Sequence, residues 1–145
     1  MSTLVDGSNL LGRLRLDRHS VEAKRALAQR LASFARSNRT RVLCFFDGEA
    51  PDAFATSLGA LTIRFSKERS ADDLIAADVD RARRGSRIRV VTSDATLAAR
   101  VTRRNVEVID ADAFARILES ADAESNSDSP ADWEEYFSNP KNRNL

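Results

Sequence analysis

Short apolar runs alternate along this chain with longer stretches whose apolar positions recur at helical spacing. "TLVD" near the start, "RVLCFFD" (41–47), the alternating "ALTIRFS" (60–66), "RIRVVTSD" (87–94) and "VEVID" (106–110) read as strands. "RVLCFFD" is apolar almost throughout, which suits a strand covered on both faces. Between the strands, Val21, Leu27, Leu31 and Phe34 share one face of a predicted helix over Ser20–Ala35. A second helix is expected over "SADDLIAADVDRARRG", with Ser70 as N-cap, acids in the first turn, arginines in the last and Gly85 as the stop. "ATLAARVTRR" and "ADAFARILESA" read as two more, and "PDAFATSL" as a short one with Pro51 near its start. Strands alternating with helices imply an α/β three-layer sandwich around a central parallel sheet.

The pattern changes after about Ala121. "DAESNSDSP" is small, polar and acidic and reads as a linker, followed by "DWEEYFSNP" with the only Trp and the only Tyr. The expected division is therefore a domain over 1–120 and an acidic linker with an aromatic tail over 121–145. The tail either folds back on the domain or docks to a partner.

A chain of 145 residues with 42% hydrophobic content is one domain with a sizeable core. It holds no apolar run long enough to span a bilayer, and Asp6 interrupts the first apolar stretch, so no secretory signal layout is expected. A single cysteine, Cys44 in "VLCFF", reads as a small core residue in a reducing compartment, and a cytoplasmic location is expected. The net charge of +1 hides segregation: nine Arg/Lys against two acids between Arg13 and Arg41, more arginines around 81–104, then an acidic stretch from Asp112 to Glu135 whose only base is Arg116. Such basic faces suit a polyanion, although solvated helix surfaces also look like this.

The candidate chemistry is carboxylate chemistry. Ligands of open parallel sheets sit beyond the carboxyl ends of the strands. "LVD" delivers Asp6 there, "CFFD" delivers Asp47 and "VVTSD" delivers Asp94, while Asp72 and Asp73 open the helix after "TIRFS". Taken singly, each has a local explanation: a turn for Asp6 and Asp47, a helix N-terminus for Asp72 and Asp73, an N-cap for Asp94. Together they would repel one another, and a divalent cation offsets that repulsion. Hard oxygen donors with no His or Cys partner favour Mg²⁺ or Mn²⁺, a kind of centre that hydrolyses or transfers phosphodiesters. His19, alone in a basic loop, carries no catalytic role, and Ser8, Ser66 and Ser93 have no His base. There is no GxGxxG and no Walker loop.

In order, "LVDGSNLL", "FFDG", "SADDLIAADV" and "VVTSDATLAARV" resemble the NYN nucleases of the PIN-like superfamily, and most of all their YacP-like ribonuclease branch, over about residues 3–118. The resemblance implies a PIN-like sheet of order 3-2-1-4-5 with helices on both sides. It implies RNA cleavage at an acidic metal pocket, with Asp6, Asp72 and Asp94 as catalytic core ligands and Asp73 and Asp47 completing the metal set. Asn9 matches the asparagine of "DGxN", expected to orient Asp6 or touch a phosphate, and Ser93, the hydroxyl beside the last acid, is a second candidate contact to substrate. The set also resembles the order in 5′-nuclease (FEN-like) relatives, where an "EADD" opens the helix; two positions depart: Ser70 stands where that motif has Glu, and "TSDAT" lacks a further acid soon after Asp94.

The expected activity is a Mg²⁺- or Mn²⁺-dependent endoribonuclease that leaves 5′-phosphate and 3′-hydroxyl ends, with Arg13, Arg15, Lys67 and Arg69 as candidate contacts to the RNA backbone. RNA is the expected partner, with the ribosome as a further one in mRNA decay or RNA processing, and no membrane. The alternative of the same fold is an inactive RNA- or ribosome-binding module. A phosphatase- or receiver-like protein using one strand-end Asp is a third reading, disfavoured because Asp6 lacks a "DxDG" context.

Overall fold

The structure, a computed structural model, describes residues 1–82 and 85–123, the last three by backbone alone. Its elements run β1 (Ser2–Asp6), α1 (Gly7–Arg13), α2 (Val21–Ser37), β2 (Arg41–Phe46), β3 (Ser57–Leu58), β4 (Leu61–Phe65), α3 (Ala71–Arg81), β5 (Ile88–Val91), α4 (Ala95–Val101), β6 (Val106–Ile109) and α5 (Ala111–Ala123). The sheet order is β3-β4-β2-β1-β5-β6. Every pairing is parallel except the two-residue edge strand β3 against β4. Counting the parallel strands alone gives the order 3-2-1-4-5 that the resemblance implied, with β3 as an added edge.

Period-two alternation along the strands divides the core between the two faces. Val5, Cys44 and Phe46 face α1, α2 and α5, where Leu10, Leu11, Leu27, Leu31, Phe34 and Phe114 fill one layer. Leu4, Phe45 and Val90 face α3 and α4 and pack on Ile75, Val79, Leu97 and Val101. Fully burying each such side chain stabilises the fold by roughly 1.5–3 kcal/mol. Cys44 belongs to this core and is buried. Among the described residues no helix is long and apolar enough to cross a membrane.

Three local expectations are corrected. Residues Gly7–Arg13, where the turn reading of Asp6 predicts no helix, form a short one, because Asp6 caps it through a bond from Asn9 N. Two buried leucines, Leu10 and Leu11, anchor its inner side. "PDAFATSL" is not a helix: it makes a turn after Pro51 and then the edge strand β3, with Ala53 at φ 59° interrupting any helical path. The helix from Ala71 ends at Arg81 rather than at Gly85, because Ala82 is already extended at ψ 145°. The proposed linker and aromatic tail fall, from residue 124 on, outside the described residues.

Candidate active site

Parallel pairing in register brings the strand ends to one edge. Asp6 registers with Phe45, Val5 with Val91, and Val91 with Ile109. The residues that follow, Asp47, Thr92–Asp94 and Asp110, therefore lie along the same edge as Asp6. Phe46 registers with Phe65, and the chain leaving β4 turns into α3, carrying Asp72 to the same edge.

Asp6 is the buried member, 5% exposed. Its Oδ1 accepts Asn9 N–H at 3.3 Å and its Oδ2 accepts the Thr92 hydroxyl at 3.3 Å. Burial pushes its carboxyl up to about 6 against these bonds, and the charges of Asp72 and Asp47 push the same way. Asp72 is also raised, first by burial and then by Asp94, whose carboxyl lies within hydrogen-bonding reach, and by Asp47; Arg100 acts in the opposite direction. Asp6, Asp47, Asp72 and Asp94 thus act on one another, although 88 residues separate the first from the last.

Backbone bonds hold two of these acids in place. Asp47 Oδ1 accepts Ala71 N–H at 2.8 Å, tying the end of β2 to the start of α3. The turn after Asp47 is closed by Gly48 at φ 88°, a conformation that suits glycine, and by Lys67 N–H donating to Gly48 O at 2.8 Å. Asp94 caps α4, its Oδ1 accepting Thr96 N–H at 2.8 Å and Leu97 N–H at 3.4 Å. The local explanation of Asp94 as an N-cap is therefore correct and coexists with its place among the acids.

Asp73 departs from the expected metal set. Its carboxylate turns to Arg100 Nη1 at 3.2 Å, and the hydrogen bonds from Arg100 and Ser70 hold it below the usual carboxylate range. Its partners are thus a cation on α4 and the α3 N-cap, not the other acids. Ser70 accepts Asp73 N–H at 3.1 Å, so the residue standing in place of a glutamate serves as a helix cap.

Asn9 and Ser93 have structural partners. Asn9 Oδ1 accepts Ser93 N–H at 2.8 Å, so its side chain orients the loop carrying Asp94 while its backbone orients Asp6. The Ser93 hydroxyl donates to Asp110 Oδ1 and accepts Ala111 N–H at 3.1 Å. In this arrangement the single Ser93 proton is given to Asp110. Of the expected cations, Lys67 and Arg69 are exposed in the loop between β4 and α3, beside Asp47 and Asp72. Arg13 pairs with Asp112 at 3.6 Å, and Arg15 is exposed just beyond α1.

Two positions outside the candidate set belong to the same edge. Thr92 is buried and links two acids: its hydroxyl donates to Asp6 and accepts Asp94 N–H at 3.1 Å. Asp110 follows β6 as Asp6, Asp47 and Asp94 follow or end theirs, and the final letter of "VEVID" was the available signal.

As the side chains stand, no three His, Cys, Asp or Glu among the described residues converge closely enough to enclose a cation. The donor chemistry nevertheless fits one. Asp6 is a desolvated carboxyl with like charges around it, and Asp47 and Asp94 spend Oδ1 on backbone donors and keep a second oxygen. Hard carboxylate oxygens of this kind suit Mg²⁺ or Mn²⁺.

A three-layer α/β domain with coupled carboxyls at the carboxyl edge of its parallel sheet has the build of a nuclease-type protein. The chain belongs to the YacP-like NYN domain family, whose model matches residues 3–144. Among solved structures it is similar to Rae1 (YacP) from Bacillus subtilis, at 24% identity and a TM-score of 0.72, covering 87% of this chain and 78% of that one. The W164L mutant of that protein gives a TM-score of 0.70 at 24% identity, over 86% and 79% of the two chains. Comparison with curated proteins gives no match.

Proposed function

We propose that the protein is a divalent-metal-dependent endoribonuclease that hydrolyses RNA phosphodiester bonds to 5′-phosphate and 3′-hydroxyl ends. The observation that carries this reading is Asp6: a buried carboxyl at a strand end, raised to about 6, with Asp72 and Asp47 adding to the burden. Burying an acid among acids costs stability, and a bound cation with substrate phosphate removes that cost.

Asp6, Asp72 and Asp94 would hold Mg²⁺ or Mn²⁺, with Asp47 at the margin. When bound, the cation supplies positive charge to the attacking water and the leaving oxygen. The chain's own residues set the geometry. Thr92 fixes Asp6 Oδ2 and the backbone of Asp94 together; Asn9 fixes the Ser93 backbone; Asp47 fixes the start of α3 and hence Asp72. Lys67 and Arg69 present exposed charge for the RNA backbone on the same side, which positions a strand without reading its sequence.

The test is cleavage of an end-labelled single-stranded RNA with Mn²⁺, Mg²⁺ or EDTA. Cleavage with either metal, lost in EDTA and in Asp94→Asn, supports the enzyme. Asparagine is itself a good N-cap, so Asp94→Asn should keep α4 and the fold. Salt-sensitive RNA binding without turnover under every metal condition would instead support the inactive module.

A further inference from the structure

Lys24 is the one lysine among the buried residues, 9% exposed, at the start of α2. No carboxylate among the described residues pairs with it; its ammonium lies over the Phe46 ring, 5.9 Å from the centroid. Phe46 ends β2, immediately before Asp47, and its ring lies so close to Gly7 that a Cβ there would come within 2.6 Å. Lys24 is thus set beside the acid edge, on the face opposite α3. Its neighbour Arg25 is exposed and repeats the arrangement, its guanidinium 5.8 Å from the Phe54 centroid. The two rings join through Phe65, which is 5.6 Å from Phe46 and 5.3 Å from Phe54.

A methionine would fill the Lys24 position without desolvating a charge, and attraction to a ring face offsets only part of that cost. A cation held there with no anion from the described residues is suited to an anion from outside them. The acid edge repels phosphates on either side of a bound metal, so fixed positive charge next to it is what an extended nucleic-acid strand requires. Seating both cations on rings also restricts two long side chains before the ligand arrives.

We propose that Lys24 and Arg25, seated on Phe46 and Phe54, form a subsite for backbone phosphate of single-stranded RNA flanking the acid edge. The subsite rests on the nuclease reading for its ligand, but it acts in binding rather than in cleavage.

The experiment is fluorescence anisotropy of a labelled single-stranded oligoribonucleotide in EDTA, where cleavage plays no part, over a series of salt concentrations. Wild type is compared with Lys24→Met, Lys24→Arg, Arg25→Gln and Arg36→Gln, the last an exposed arginine in the final turn of α2, at the other end of the helix. Lys24→Met should weaken binding about tenfold, the loss of one charge-assisted contact. The slope of log K against log salt should fall by about 0.7, while Lys24→Arg retains most of the affinity. Arg25→Gln should weaken binding in the same sense, and Arg36→Gln should not. Lys24→Met should melt no lower than wild type, which a purely structural lysine would not allow. Equal binding by wild type and Lys24→Met, or an equal loss in Arg36→Gln, overturns the subsite. Wild type that binds no RNA in EDTA overturns the subsite alone, since cleavage in metal decides the nuclease reading, whereas binding that depends on Lys24 without cleavage in metal overturns only the latter.

Discussion

Asn9 Oδ1 accepts the backbone N–H of Ser93 at 2.8 Å, joining the helix that follows the first strand to the loop that follows the fifth. The bond lets one residue set two acids, since Asn9 N–H also donates to Asp6 and Ser93 precedes Asp94. Asn9→Ala leaves the part-buried Ser93 N–H without its partner, and an unsatisfied donor costs up to about 1–3 kcal/mol. The expected outcome is a lower urea midpoint with an unchanged slope, together with a fall in RNA cleavage larger than the stability loss explains at a temperature where the variant remains folded.

Thr92 makes the same kind of link inside the site, and its substitutions separate shape from hydrogen bonding. Thr92→Val keeps the volume but removes both the donor to Asp6 Oδ2 and the acceptor for Asp94 N–H. Thr92→Ser keeps both. Denaturation should place the valine variant about 1–3 kcal/mol below wild type and the serine variant between them. Cleavage rates should follow the same order.

Much of this was readable in the sequence. The run "RVLCFFD" and the repeated strand–helix alternation carried the parallel sheet, because continuous apolar strands and amphipathic helices leave few other ways to bury their faces. The acids at 6, 47, 72 and 94 were legible for the same reason: strand ends in a parallel sheet share an edge. What the sequence did not carry was the direction of each side chain. Asp73 adjoins Asp72 in the chain, yet a helix turns successive residues by about 100°, which sends Asp73 towards Arg100. Asn9 and Ser93 have partners 84 and 17 residues away, beyond any local pattern. The helix after Asp6 was missed because a seven-residue helix shows too few periods, and its cap looked like a turn.

The split between Asp72 and Asp73 predicts how the protein responds to metal. A cation that binds only the folded chain raises its stability, by about 2.7 kcal/mol at a hundred times its dissociation constant. Mn²⁺ or Mg²⁺ should therefore raise the melting temperature of wild type. The rise should persist in Asp73→Asn, whose carboxylate is engaged by Arg100, and disappear in Asp72→Asn and Asp6→Asn. A scanning-fluorimetry titration decides this, and a shift lost in Asp73→Asn but kept in Asp72→Asn would overturn the assignment.

Gly7 tests how tightly the site is mounted on the sheet. A Cβ there would stand 2.6 Å from Phe46 Cε1 and 2.7 Å from Cys44 Sγ, both buried in the core. Neither can withdraw without opening the packing of β2, so Gly7→Ala should cost about 1–3 kcal/mol as an overpacked substitution. Because Gly7 starts α1 directly after Asp6, the variant should also bind Mn²⁺ more weakly in the same fluorimetry assay. Gly12→Ala is the control: its Cβ would meet only the Arg18 side chain at 4.0 Å, and both readings should stay near wild type.

Asp6 gives the site a pH signature in the absence of metal. Its folded carboxyl sits at about 6, above the unfolded value near 3.9. Between those values the folded chain holds more protons than the unfolded one, so this group's contribution to stability is present at low pH and lost as pH rises through about 6. The two-unit separation corresponds to about 3 kcal/mol at full ionisation, an upper figure because other groups respond to the same field. Asp6→Asn carries no such proton. In EDTA, the variant should match wild type near pH 4 and become progressively more stable than it up to pH 7, as measured by urea denaturation at fixed ionic strength. Saturating Mn²⁺ should reverse the order at pH 7, since wild type gains a ligand for the cation and the variant does not. A stability difference that stays flat from pH 4 to pH 7 in EDTA would show that Asp6 ionises like an exposed carboxyl, and the coupled acid edge would then lose its central member.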